Sequence, residues 1–269
     1  MILEYHRPKT LDEALALLKR QQPVIRALAG GTAIHHLHQG DFAVVDLQDL
    51  GLDAVQRRGS TLVLGAMLTL QAFLSSLESL NLPGLNLTTA LSDAIQQEAP
   101  LNIRNMATVG GTLAAAGGHS PLATVLLACD CELLLQPEDQ RLALGDWLSI
   151  ASLRTSSFRS EAPAGALIVE VRIPTSVSLA YTAVARTPAD FPIVCAAAAG
   201  WPSGRRRAAL GGHGLAPRLV FDGTESAGAG LAAQSAYLTA GDEWASAEYR
   251  SEAAGILVER CINSIGDSL

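Results

Sequence analysis

Two short stretches of the sequence carry residue types whose spacing suits anion binding. Leu28-Ala29-Gly30-Gly31-Thr32-Ala33 and, far downstream, Ile103-Arg104-Asn105-Met106-Ala107-Thr108-Val109-Gly110-Gly111-Thr112-Leu113 share an apolar lead-in, a Gly-Gly pair and a threonine. A Gly-Gly pair lacks side chains and frees φ, so the backbone can turn sharply and aim its N–H groups at a bulky anion. Either stretch alone reads more readily as an ordinary turn, because short glycine motifs recur by chance. Together they read as loops able to clamp one diphosphate, with Thr32 and Thr108 adding hydroxyl donors. Neither has the G-x-G-x-x-G spacing of a Rossmann turn or the Gly-Lys-Ser/Thr end of a P-loop, so a dinucleotide would be held another way.

The elements that must position these loops follow from local pattern. Pro8, Thr10 and Glu13 form a helix start with a capping box, and leucines at helical spacing carry a helix over 11–20. Residues 24–28 read as a short buried strand ending in the first Gly-Gly loop, and 43–47 as another strand. A second unit opens with a strand at 61–66 and a helix at 70–77 capped by Thr69; residues 85–97 have a helical period and lead into the 103–113 loop. Residues 123–128 are apolar, 131–135 read as a strand, and 167–174 give the clearest strand, β-branched, alternating and stopped by Pro174. After Pro174 the character changes. Residues 193–199 and 206–212 read as a hairpin or meander, followed by helices at 225–238 and 246–265.

Composition narrows the function. At 269 residues, 49% apolar and 17% charged, the chain can bury a sizeable core and form about two domains at roughly 150 residues each. A net charge of −7 argues against sequence-independent nucleic-acid binding, and the Arg205-Arg206-Arg207 run reads as a solvated charge cluster at a turn. No apolar run reaches the roughly 20 residues that span a bilayer, and the start Met1-Ile2-Leu3-Glu4 lacks a signal-peptide pattern, so a cytoplasmic protein without a membrane span is expected. The four cysteines read as free thiols, with Cys129 and Cys131 on one face if 126–135 is a strand. They lack the plant-type iron–sulfur spacing. His35, His36 and His38 flank Leu37, but no acid or thiol completes a ligand set, so they are expected to face solvent or a pocket wall rather than a metal. His119 is a candidate contact to a ligand phosphate.

Ala29-Gly30-Gly31-Thr32, Val45-Asp46-Leu47, Leu64-Gly65-Ala66, and Ile103-Arg104-Asn105 leading into Thr108-Val109-Gly110-Gly111 carry a resemblance over nearly the whole chain. In this order they resemble the flavoprotein subunit of the molybdenum hydroxylases, a family that includes the medium subunit of carbon monoxide dehydrogenase and the equivalent part of xanthine dehydrogenase. Asp190-Phe191-Pro192-Ile193-Val194 and Ala245-Ser246-Ala247-Glu248-Tyr249-Arg250 are similar to its C-terminal domain. The resemblance implies an α+β fold: a two-lobed FAD-binding domain of the vanillyl-alcohol-oxidase and enolpyruvyl-reductase type, with lobes at 1–55 and 56–175, then a small α/β domain at 176–269.

It further implies FAD with its pyrophosphate between Ala29, Gly30, Gly31, Thr32, Ala33 and Ile34 on one side and Ala107, Thr108, Gly110, Gly111 and Thr112 on the other. No catalytic acid–base residue and no metal ligand is implied, because the flavin does the chemistry. The implied partners are a molybdenum-cofactor subunit and a 2Fe–2S subunit, docked on an exposed apolar patch, with NAD, oxygen or a quinone as electron acceptor. Departures stand at Ala33, Thr112, Gly117-Gly118 and Pro121, where the family commonly carries an acid or serine, Asn, Ser-Pro and Asp. They imply weakly held FAD and open a second reading, a flavin-free scaffold or maturation relative. A stand-alone reductase of enolpyruvyl sugar nucleotides is a third. On the resemblance, Gly30→Val or Gly111→Val is expected to abolish flavin retention while leaving the fold intact.

Overall fold

The computed structural model describes residues 1–33, 40–152, 166–188 and 190–266. Ile34, Leu37 and the histidines His35, His36 and His38 lie outside the described residues. The chain begins β1 (Ile2–His6), α1 (Leu11–Leu18), β2 (Ile25–Leu28) and β3 (Phe42–Asp46), a parallel sheet in the order β1-β3-β2. Thr10 starts α1 by accepting from the Glu13 amide at 3.3 Å, and the Glu13 carboxylate accepts from the Lys9 amide at 3.1 Å, a capping box displaced by one residue. Every residue of β3 is buried, as befits the central strand.

Next come β4 (Val55–Arg58), β5 (Thr61–Gly65), α2 (Leu70–Leu77), α3 (Leu87–Glu98), α4 (Leu101–Arg104), α5 (Val109–Ala115) and α6 (Pro121–Ala128). β6 (Glu132–Gln136), β7 (Gln140–Ala143), α7 (Leu144–Ser152) and β8 (Leu167–Pro174) complete this unit. Its sheet is antiparallel throughout, in the order β4-β5-β8-β6-β7, with β8 in the middle. The strongest strand pattern in the sequence thus occupies the most enclosed position.

The last third forms an antiparallel sheet of β9 (Ser178–Val184), β10 (Val194–Gly200), β11 (Arg206–Gly211) and β12 (Arg218–Gly223), ordered β12-β11-β10-β9, followed by α8 (Ala229–Ala236) and α9 (Ala247–Gly266). All of β10 is buried, and its alanines alternate between two cores. Ala197 and Ala199 pack with α3 and α6, while Ala196 and Ala198 pack with α8 and α9. Side chains on a strand point alternately to opposite faces, and methyl-sized ones let a helical layer approach closely on each. Helices α3 and α6 are therefore shared, packing against each other as well as against β9 and β10.

Two expectations change. Residues 126–135 are not one strand: α6 runs to Ala128, Cys129 caps it, Asp130 turns at φ +56° and β6 begins at Glu132. All eight residues of α6 are buried, so no amphipathic period marks it as a helix; its signal is Ser120 as N-cap with Pro121 in the first turn. The four cysteines are buried free thiols. The arginine run is not a solvated turn, because Arg206 begins β11 and Arg207 is 4% exposed. Asp130 and Asp222 neutralise it: Arg205 reaches them at 2.9 and 2.7 Å, and Arg207 pairs closely with Asp130.

Arg250 ties the C-terminal unit together. Fully buried on α9, it donates to the carbonyls of Ile193 at 2.7 Å and Gly212 at 2.6 Å, and to both oxygens of Asp242 at 2.7 and 2.8 Å. Arg250→Met would leave two carbonyls without a donor and Asp242 with only the Trp244 and Ala245 amides. A loss of about 3 kcal/mol is expected in a denaturant titration, the low end for a broken buried pair because Asp242 stays partly solvated.

Candidate functional site

The two Gly-Gly stretches meet, but they are built differently. The first leaves β2 at Leu28, whose carbonyl accepts from the Leu47 amide at 3.0 Å, and turns through Gly31 at φ +71°. Among the described residues no hydrogen bond takes up the amides of Gly30, Gly31, Thr32 or Ala33, or the Thr32 hydroxyl. These residues are all partly exposed. Among the described residues, then, nothing competes for the backbone donors expected from the sequence.

The second stretch is not a loop. Gly110 and Gly111 occupy the first turn of α5, which Thr108 caps by accepting from the Gly111 amide at 3.1 Å. Val109 donates to the Leu68 carbonyl at 2.8 Å, Gly110 to the Ala66 carbonyl at 2.9 Å and Thr112 to the Thr108 carbonyl at 2.8 Å. The amides expected to face a phosphate from this side are therefore already bonded within the protein. Ala107, Thr108 and Gly110 are buried; Gly111 and Thr112 are the partly exposed members, and the Thr112 hydroxyl has no partner among the described residues. Ile34 lies outside the described residues.

Glycine at position 30 answers to the protein itself. A Cβ there would collide with the Met106 carbonyl and sit 3.1 Å from the Ala107 Cα, so only glycine lets the two stretches touch. A Cβ at Gly111 would lie 2.8 Å from the Thr108 hydroxyl and 3.6 Å from the Ala29 methyl. The expected separation of flavin loss from folding therefore does not hold at Gly30. Leu101 and Met106, each 56% exposed, are apolar residues leading into this meeting point.

Downstream of α5, the Gly117-Gly118 departure has a structural use. Gly118 donates to the Gly214 carbonyl at 3.1 Å, a bond a proline could not make, and accepts from the Gly212 amide at 2.6 Å. His119 stacks on Trp244, ring centroids 4.9 Å apart, with the Arg186 guanidinium 5.7 Å from the Trp244 ring. Burial pushes the His119 pKa down, which favours the neutral ring and makes it a poor phosphate ligand.

Sequence reasoning missed Glu98. At the end of α3 it accepts from the Ser120 hydroxyl at 3.0 and 2.9 Å and from the Leu122 amide at 2.9 Å, placing a carboxylate at the start of α6 where Pro121 supplies none. Burial raises its pKa to about 7, against the opposing effect of those hydrogen bonds. With the folded value raised, the stability it lends is full below the ordinary carboxyl range and is lost as pH rises through about 7. Its signal in the sequence was only a single acid near the end of an apolar helix.

Two clefts open elsewhere, one of about 800 Å³ lined by Asp130, Arg205, Arg207 and Asp222, the other of about 650 Å³ lined by Asp93, Arg104 and Tyr181. The first is balanced in charge. Among the described residues no group of His, Cys, Asp and Glu could hold a metal ion, and no helix is long and apolar enough to cross a membrane.

Comparison with known proteins gives concordant results. Residues 1–176 match the family described as FAD binding domain in molybdopterin dehydrogenase. The carbon monoxide dehydrogenase medium chain of Afipia carboxidovorans is 28% identical, with 96% of this chain and 95% of that one covered. The alpha subunit of the 6-hydroxypseudooxynicotine dehydrogenase complex of Paenarthrobacter nicotinovorans is 29% identical, covering 96% and 93%. Among solved structures, reconstituted CO dehydrogenase from Oligotropha carboxidovorans superposes with a TM-score of 0.82 at 25% identity, covering 99% of this chain and 98% of that one.

The contrast between Gly30 and Thr32 is testable. Gly30→Ala should cost about 3 kcal/mol in the apoprotein, the upper end for overpacking because the obstacle is backbone. Thr32→Ala should leave the thermal midpoint unchanged and weaken FAD binding about fivefold through one lost hydroxyl donor. Calorimetry beside a flavin titration separates the two.

Proposed function

Because the chain belongs to the family of FAD-binding domains of the molybdopterin dehydrogenases, we propose that it is the electron-transfer flavoprotein subunit of a molybdenum hydroxylase complex like carbon monoxide dehydrogenase. FAD is its cofactor. The observation that carries the reading is the first Gly-Gly loop, whose Gly30 to Ala33 amides have no other bond among the described residues and stand against the α5 start. Oriented N–H dipoles hold a diphosphate without a countercharge that must be desolvated, so this donor set fits the pyrophosphate. Gly30, Gly31, Thr32 and Ala33 would hold it, with the Thr112 hydroxyl adding a donor from the other side, and Ile34 belongs to the same proposed set. Ala29, Ala107, Thr108, Gly110 and Gly111 would shape the cradle rather than donate to it.

When bound, the flavin supplies the redox chemistry. The chain's own residues bind and orient it, and the fold leaves its neighbours to accept and deliver electrons. We assign those roles to a molybdenum-cofactor subunit and a 2Fe–2S subunit, with NAD, oxygen or a quinone as the final acceptor. Support comes from the relatives, which are named as subunits or chains of dehydrogenases. Leu101 and Met106 are candidates for the apolar docking patch. The division into lobes at 1–55 and 56–175 with a further domain at 176–269, and a cytoplasmic location, belong to the same reading.

The commitment of the α5 amides favours a second reading, a scaffold that has lost tight flavin binding. Visible absorption decides between them: purified protein that is yellow, or becomes so when FAD is added, supports the flavoprotein. Colourless protein that stays colourless in excess FAD supports the scaffold. Weakly held FAD then rests on Ala33 and Thr112, because Glu98 already places a carboxylate at the start of α6 beside Pro121. Thr112→Asn should tighten binding about tenfold or more, the worth of one bond to a charged or strongly polar group. Equal affinity in a fluorescence titration would remove Thr112 as the cause.

A further inference from the structure

Glu98 lies immediately before, and its bonding partners Ser120 and Leu122 immediately after, the segment 99–119. That segment contains α4, Met106 and Ala107, which touch Gly30, and α5 with Gly111 and Thr112. The bonds span 22 residues in sequence and close the segment at its base. A second tie lies beside it: Arg104 donates to the carbonyls of Ala99 at 2.8 Å and Gln96 at 3.2 Å and, through Nε, to Gln71 at 3.1 Å. At its α5 end the segment is held by the Trp147 indole, which donates to the Leu113 carbonyl at 3.1 Å.

We propose that Glu98 is the positioning residue of the FAD site in this chain, a carboxylate staple that closes segment 99–119 and holds Gly111 and Thr112 against the first Gly-Gly loop. The proposal rests on the flavoprotein reading above. A half-buried carboxylate whose ionisation opposes folding at neutral pH is a cost an apolar side chain would avoid, so its presence asks for a task in the native state. The geometry supplies one. Both carboxyl oxygens are engaged, Oε1 with the Ser120 hydroxyl and Oε2 with that hydroxyl and the Leu122 amide, and the hydroxyl can also accept from the protonated acid.

The groups facing Glu98 do not compete for the proton near neutrality. Tyr181 on β9, whose hydroxyl donates to Gln97 at 2.5 Å, is pushed far up by burial, and Cys195 on β10 is pushed up to about 12 by burial. His119, next to Ser120, is shifted down by burial. Because the closed base raises its pKa, ionisation of Glu98 is the step that loosens the base, and FAD binding by native protein should weaken as pH rises through neutrality.

The test uses the full chain as apoprotein, native and Glu98→Ala, with two readouts. Amide hydrogen exchange, corrected for intrinsic rates, should speed about tenfold across residues 107–113 in the variant while β10 and β11 keep native protection. In a fluorescence titration the variant should bind FAD about tenfold more weakly, with no difference between about pH 6 and about pH 8, whereas the native protein binds several-fold tighter at the lower pH. Unchanged exchange at 107–113, or a native pH profile that persists in Glu98→Ala, overturns the staple. Should the variant fail to fold, the native protein alone decides: exchange at 107–113 must speed at the higher pH, and a flat profile overturns the proposal. Loosening at 107–113 with no FAD uptake by native protein at either pH overturns the flavoprotein reading and leaves the staple standing.

Discussion

The close approach of Gly30 to the Met106 carbonyl and Ala107 Cα is a backbone-on-backbone contact between the first Gly-Gly loop and the stretch leading into α5. Side chains can change rotamer to relieve a clash, but backbone cannot, so this contact fixes the spacing of the two stretches to a fraction of an ångström. Everything proposed for the site depends on that spacing. It presents the amides of Gly30 to Ala33, which have no partner among the described residues, beside the partly exposed Gly111 and Thr112.

The resulting site is asymmetric for a reason of local structure. Beyond Leu28 the first stretch leaves its ladder, and among the described residues its donors meet no acceptor. The second stretch passes a bridge between Thr69 and Thr108 and enters a capped helix, so its donors are consumed in making it rigid. One side offers hydrogen bonds and the other offers a fixed wall. A buried N–H must be paired, and pairing it within the protein removes it from the ligand.

The shared helices connect this site to the rest of the molecule. α3 and α6 pack on the alanine-rich face of β10, and the end of one and the start of the other form the base where Glu98 meets Ser120. The opposite face of β10 carries α9 with Arg250, which reaches the carbonyls of Ile193 and Gly212. Gly212 in turn donates to Gly118 in the segment just before Ser120. The C-terminal unit thus braces the exit of α5 through backbone hydrogen bonds.

Much of this was readable in one dimension. The capping box of α1, the strand at β8 stopped by Pro174, the hairpin of β10 and β11, the break after Pro174 and the pairing of two Gly-Gly-Thr stretches are each local signals, and local chemistry suffices to read them. Motif order across the chain likewise pointed to the family that residues 1–176 match. What the fold alone decided were the matters of partnership. Whether an amide at Gly30 or Gly110 is taken depends on Ala66 reaching the second and nothing described reaching the first; whether Arg207 is solvated depends on Asp130 and Asp222 arriving from elsewhere in the chain. The all-buried α6 and the Glu98 staple escaped for the same reason, since burial on every side erases periodicity and a carboxylate is defined by what it meets across 22 residues of sequence. A residue type sets which bonds it can make, and only tertiary structure determines which of them are already taken.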